Sequence, residues 1–177
     1  MTIIRPFKLA ALLLATLIFI PSFSQPAAAQ DATRFFDATL GDFRAELATA
    51  RQQRKSGILL MFEMEGCPYC KRMHETVLNR PEVQAYYRRH FLIYSVDVMG
   101  DIPLQDFTGR ELREKDFANA YKIRGTPTFI FIGLKGEVMT SYTGATRTAE
   151  EFLLLGRYVV DGAYGKHSFP QFKQSAK

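Results

Sequence analysis

Both cysteines of the chain fall inside one short segment, Cys67-Pro68-Tyr69-Cys70, set between an apolar run and a stretch that reads as a helix. Ile58-Leu59-Leu60-Met61-Phe62 is continuous and apolar, as expected of a strand covered on both faces. Pro68 suits the first turn of a helix, where its missing N–H does no harm. A cysteine at that junction sits at a helix N-terminus. Its sulfur faces unpaired N–H groups and the positive end of the helix dipole. Both favour the thiolate, which is the nucleophile. Cys70 lies about one turn further on and can close a disulfide with Cys67. In that arrangement Cys67 is the exposed attacker and Cys70 the buried resolving thiol, with Lys71 and Arg72 adding positive charge nearby.

Spacing bears on the other uses of such a pair. A bridge that closes so short a loop removes little chain entropy, so it is a poor structural staple and a plausible redox couple. Cys67, Cys70 and His74 have zinc-ligand spacing, but a structural site wants a fourth ligand, and His90 and His167 pair with nothing. Covalent haem attachment needs His directly after the second Cys, and position 71 is Lys. A non-enzymatic carrier holding Cu(I) on the two thiolates and His74 is the alternative from another class. Neither metal nor cofactor is expected beyond the redox-active Cys67–Cys70 disulfide.

The compartment follows from the N-terminus. Arg5 and Lys8 precede the apolar run Leu9–Ile20, then Pro21 and the small-residue stretch Pro26-Ala27-Ala28-Ala29-Gln30. The run is shorter than the roughly 20 residues of a membrane-spanning helix. It reads as a secretory signal, residues 1–29, cleaved after Ala29. Of the 177 residues, 148 then remain, carrying 21 Lys+Arg against 18 Asp+Glu, a net charge of +3. That length suits one domain. With no basic stripe interleaved with aromatics, nucleic acid is not an expected partner.

The rest of the chain alternates helical and strand signals. Residues 30–41 are an extended lead-in. Asp42 caps a helix to about Arg54 with Phe43, Leu47 and Ala50 on one face. After the cysteine helix, Pro81 starts a second stretch to about Arg89, and Phe91–Val98 is another buried strand. Gly100, Pro103 and the turn Phe107-Thr108-Gly109-Arg110 mark an insert or small hairpin. A short helix covers Lys115–Tyr121. Thr126–Ile132 and Glu137–Tyr142 flank Lys135-Gly136 as an antiparallel hairpin. Thr148-Ala149-Glu150-Glu151 is a capping box for a helix with Phe152, Leu155 and Val159 on its apolar face. The stretch from Gly162 is assigned no structure. Parallel strands joined through helices and closed by a hairpin imply a layered α/β sandwich. Gly125-Thr126-Pro127-Thr128 stands at a strand entrance, where X-Pro is a candidate cis bond.

Gly66-Cys67-Pro68-Tyr69-Cys70-Lys71 together with Gly125-Thr126-Pro127-Thr128 resembles the thioredoxin superfamily. The closer resemblance is to periplasmic SoxW-type thioredoxins associated with bacterial sulfur oxidation. It extends over Phe43–Tyr164 and includes Asp97-Val98-Met99-Gly100-Asp101, the Thr108-Gly109 insert and Tyr158-Val159-Val160-Asp161-Gly162-Ala163-Tyr164. The resemblance implies a three-layer α/β/α sandwich with a mixed central sheet over residues 42–164, followed by a tail, 165–177. It implies that Cys67 is the nucleophile, Cys70 the resolving thiol, Pro127 the cis-proline beside the disulfide, and Thr126 a source of backbone hydrogen bonds to substrate. Pro68 and Tyr69 complete the active site, and Pro-Tyr between the cysteines also occurs in glutaredoxins. The implied protein is a periplasmic, monomeric thiol–disulfide oxidoreductase. It would reduce disulfides of a partner protein and be recharged by a membrane thiol-electron donor. Disulfide oxidase or isomerase is the alternative on the same scaffold. One departure stands out. Thioredoxins commonly carry a buried acid six residues before the first Cys, where this chain has Met61. Glu63 is then the candidate for proton transfer, with Glu65 behind it.

Overall fold

The computed structural model describes residues 35–176. The expected signal segment 1–29, and residues 30–34 of the lead-in, lie outside the described residues. Helix α1, Phe43–Gln52, is capped by Asp42, whose side chain accepts from the Ala45 N–H. Arg54 in left-handed geometry ends that stretch, two residues beyond the helix. Strand β1, Gly57–Glu63, leads into α2, Pro68–Met73, and α3, Pro81–His90, then β2, Phe91–Asp97. The insert is a small ladder of its own, β3, Pro103–Gln105, against β4, Glu111–Arg113. Helix α4, Glu114–Ala120, precedes the hairpin β5, Thr128–Gly133, and β6, Val138–Thr143. Helix α5, Ala149–Val160, follows.

The main sheet runs β2-β1-β5-β6, with β1 and β2 parallel and the remaining pairs antiparallel. Alternation along β1 divides the interior. Ile58, Leu60 and Phe62 face a core shared with α1 and α4, including Phe43, Leu47 and Phe117. Leu59 and Met61 face the core of α2, α3 and α5, including Met73, Tyr87 and Phe152. Burial on both faces is why β1 reads as an unbroken apolar run. The expected layered α/β sandwich with a mixed sheet is therefore present. Among the described residues no helix is long and apolar enough to cross a membrane.

Three local features differ from expectation. The helix after the cysteines continues as a wide π turn, His74–Leu78, for which the residues carry no advance signal. At Thr148 only half of the capping box forms. The hydroxyl accepts from Glu151 N–H, but the Glu151 carboxylate turns to the Arg147 N–H and to Lys173. The largest difference is at the C-terminus, where a 3-10 turn, Ala163–Gly165, and helix α6, Phe169–Ser175, occupy the stretch to which the sequence assigns no structure. Helix α6 starts at a full capping box, Ser168 with Gln171, with Pro in its first turn. It docks because Phe169 reaches the core, 5.6 Å from the Tyr142 ring and 5.5 Å from Tyr158. Phe169→Ala is expected to cost about 3 kcal/mol through the cavity it leaves, read as a lower urea midpoint at unchanged slope. A change of only a few tenths would show that α6 adds nothing to the core.

Candidate active site

Strand β1 ends at Glu63, and the bend Met64-Glu65-Gly66 turns the chain back towards α2. Gly66 has φ +75°, a left-handed conformation that favours glycine. Cys67 is the N-cap of α2: its Sγ accepts the Cys70 backbone N–H at 3.1 Å. A sulfur thus occupies the place usually taken by a Ser or Asp oxygen. Cys67 and Cys70 are joined as a disulfide, with Cα atoms 5.3 Å apart. Pro68 and Tyr69 lie outward, and Tyr69 is 62% exposed. Cys67 was expected to be exposed. It is only 9% so, against 3% for Cys70, because the segment before β5 lies over its sulfur.

That segment carries the cis Thr126–Pro127 peptide, with Pro127 buried. Strand β5 therefore begins at Thr128, two residues later than the sequence suggests. The Thr126 hydroxyl donates to Cys67 Sγ at 3.2 Å, and the Thr126 carbonyl oxygen lies 3.5 Å from the same sulfur. The segment is pinned on its other side, where Gly144 N–H donates to the Pro127 carbonyl at 2.8 Å and Thr128 Oγ1 donates to the Gly125 carbonyl at 2.7 Å. The sequence singled out Thr126 for its backbone. The side-chain bond to sulfur was missed, and its only advance signal is a hydroxyl residue placed directly before the proline.

Residues two apart on a strand share a face, so Glu63 continues the face of Met61, towards α2. Its carboxylate bonds His74 Nε2 at 2.6 Å and accepts from the Ser95 hydroxyl. Burial pushes the Glu63 carboxyl up, but the His74 and Ser95 hydrogen bonds and the His74 charge outweigh it and hold it below the usual range. His74 itself is half-buried, its ring 5.7 Å from Phe36, one turn beyond Cys70 on the same helix. Glu65 is exposed. Lys71 forms an exposed pair with Glu75 at 3.8 Å. Among the described residues, no group of three His, Cys, Asp or Glu side chains is arranged to hold a metal ion.

A sulfur at a helix N-terminus, bridged to a second cysteine one turn on and flanked by a cis-proline, can perform thiol–disulfide exchange. The sequence family described as a thioredoxin-like domain matches residues 43–160. The chain belongs to the thioredoxin-like family. Among solved structures, a thioredoxin from Thermus thermophilus is 31% identical, with 71% of this chain and 90% of that one covered and a TM-score of 0.53. A thioredoxin-fold protein from Helicobacter pylori is 22% identical, covering 69% and 80% with a TM-score of 0.55. The C-terminal domain of DsbD from Neisseria meningitidis, in its reduced form, is 18% identical, covering 66% and 93% at 0.50. The last two likenesses bear on the fold alone. No curated protein matches the chain. The family assignment and the Cys67–Cys70 pair make this thioredoxin-like chain consistent with a thiol–disulfide oxidoreductase.

Proposed function

We propose that this protein is an exported reductase of protein disulfides. The observation that carries the reading is Cys67 Sγ itself, which receives the Cys70 N–H and the Thr126 hydroxyl and is bridged to Cys70. In the reduced protein the same two donors face a Cys67 thiolate. The thiolate attacks a disulfide of the partner, forming a Cys67–partner bond and releasing the partner's second sulfur, which takes up a proton. Cys70 loses its proton and attacks Cys67 Sγ. The partner's first sulfur leaves as a thiol, and two electrons have passed from the pair to the partner. Glu63, on the α2 face of β1, is the proposed route for the Cys70 proton, with His74 bonded to it.

The flanks of the apolar run Leu9–Ile20 support export to the periplasm, and the motifs shared with SoxW-type thioredoxins support a partner in sulfur oxidation. In that compartment the pair is re-reduced by a membrane thiol-electron donor, since no thiol buffer is at hand. The protein acts as a monomer in this reading.

A second reading, as a disulfide oxidant, is favoured by one observation. Donors aimed at Cys67 Sγ stabilise the reduced form, and a stabilised reduced form makes a stronger oxidant. The reduction potential decides between them, measured by thiol–disulfide equilibrium and alkylation gel shift. A value of about −270 mV or lower is expected for the reductase. A value above about −180 mV overturns the direction proposed.

A further inference from the structure

Cys70 is buried, so the proton its thiol gives up in the second exchange step needs an acceptor within the protein. Cys70 shares a core with Met61, and Glu63 stands two residues further along the same face of β1, at the strand's end. His74 follows Cys70 by one turn, its backbone N–H bonded to the Cys70 carbonyl. The contact between Glu63 and His74 therefore ties the end of β1 to the turn of α2 that carries the resolving thiol. Both oxygens of the carboxylate are engaged. Oε2 lies 2.6 Å from His74 Nε2, and Oε1 accepts from the hydroxyl of Ser95, the β2 partner of Met61 in the sheet register.

The lead-in packs against the imidazole, with the Phe36 ring 5.7 Å away. Other charged groups on the surrounding elements have partners of their own or face water. Asp97, opposite Glu63 on β2, accepts from the Met99 N–H. In the lead-in Asp37 accepts from the Ile93 N–H, and Arg88 of α3 reaches the Phe36 carbonyl. On α2 and the turn after it, Lys71 and Glu75 pair with each other, and Glu65 in the bend is exposed. His74 is thus the charge that acts on the Glu63 carboxylate. Burial pushes that carboxyl up, and the His74 and Ser95 bonds with the His74 charge hold it down. Without the imidazole charge, burial gains weight and the carboxylate is protonated at a higher pH.

We propose that His74 is a positioning residue for the second exchange step, holding Glu63 as a carboxylate beside the turn of the resolving thiol so that the Cys70 proton has an acceptor in mild acid as well as at neutral pH. The inference rests on the thiol–disulfide reading above and on Glu63 as the proton route. In that step the Cys70 proton passes to Glu63, and the Cys70 sulfur forms its bond to Cys67 Sγ. The bond from Cys67 to the partner breaks, and its electron pair leaves with the partner's sulfur, which takes a proton from water. Glu63 then returns its proton to solvent. A step assisted by an ionised base keeps its rate as pH falls below the thiol's own range, and slows only where the base itself is protonated.

The test follows the mixed disulfide. Reduced full-length chain is mixed with a peptide disulfide and quenched in acid at intervals, and the protein–peptide adduct is measured by mass. With the wild-type chain the adduct should resolve at a nearly constant rate from about pH 8 to about pH 5. His74→Gln can still donate a hydrogen bond but carries no charge. Its rate should match the wild type at about pH 8 and fall to about a fifth of it at about pH 5. A His74→Gln rate lowered equally at every pH, or not lowered at all, would overturn the proposal. So would a wild-type rate that already falls about tenfold per pH unit below neutral, a result that needs no variant to fold. Glu63→Gln should show that steep fall. If it keeps a flat profile, the proton route and this inference fall together and the exchange reaction stands. If no adduct forms and no peptide thiol is released, the thiol–disulfide reading itself falls.

Discussion

Cys67→Ser is expected to remove exchange activity almost completely, by roughly three orders of magnitude or more, because a hydroxyl at that position is not ionised and the nucleophile is the thiolate. Cys70→Ala should fail differently. Cys67 keeps its N-cap position and its Thr126 donor, and the backbone N–H of residue 70 survives the substitution. The first attack then proceeds, and the second has no thiol to make it. A partner or peptide disulfide is left bound to Cys67 through sulfur. The measurement is a non-reducing gel with the peptide disulfide as bait, repeated after reduction. An adduct with Cys70→Ala and none with Cys67→Ser is the expected pattern. An adduct with Cys67→Ser instead would exchange the two roles.

The largest stability loss is expected at a residue without chemistry. Gly57 opens β1 opposite Gly133 of β5, and a Cβ there would stand 2.0 Å from the Ile132 carbonyl oxygen. That atom is backbone in the hairpin's inner strand, so no rotamer change relieves the clash. Either the two central strands part or β1 shifts along its neighbours, and a shift disturbs both faces of the sheet. Gly57→Ala should destabilise the protein by about 3 kcal/mol or more, out of a total of roughly 5–15 kcal/mol. For a chain of this size that is a melting temperature lower by roughly 10 °C. A variant that melts within a degree or two of the parent would show that the strands separate at that end without cost.

These two predictions differ in how far they could be anticipated. The chemistry of Cys67 and Cys70 was visible in four consecutive residues, because a strand end, a cap and a first helical turn are encoded locally. Asp42 and Pro81 could be read for the same reason, since each acts on backbone groups within one turn of itself. The C-terminal helix should have been equally legible. Ser168-Phe169-Pro170-Gln171 is a cap, an anchor, a first-turn proline and the reciprocal partner in order. The polar composition beyond Gly162 hid it. Ser56-Gly57, by contrast, reads only as the break after the first helix, and only the closeness of Gly57 to the Ile132 carbonyl reveals a requirement for hydrogen at that carbon.

The sequence by itself determined the order of elements, the two-faced burial of β1 and the place of the cysteine pair at a helix start. All of these depend on periodicity and on groups a few residues apart. Tertiary structure alone decided which atoms surround the sulfur. Thr126 reaches Cys67 across 59 residues, and Glu63 meets His74 across 11. Such contacts depend on sheet order and on how deep each helix sits, and neither is written in local spacing. The nucleophile was therefore readable in advance, and the Thr126 donor and the acid–histidine pair were not.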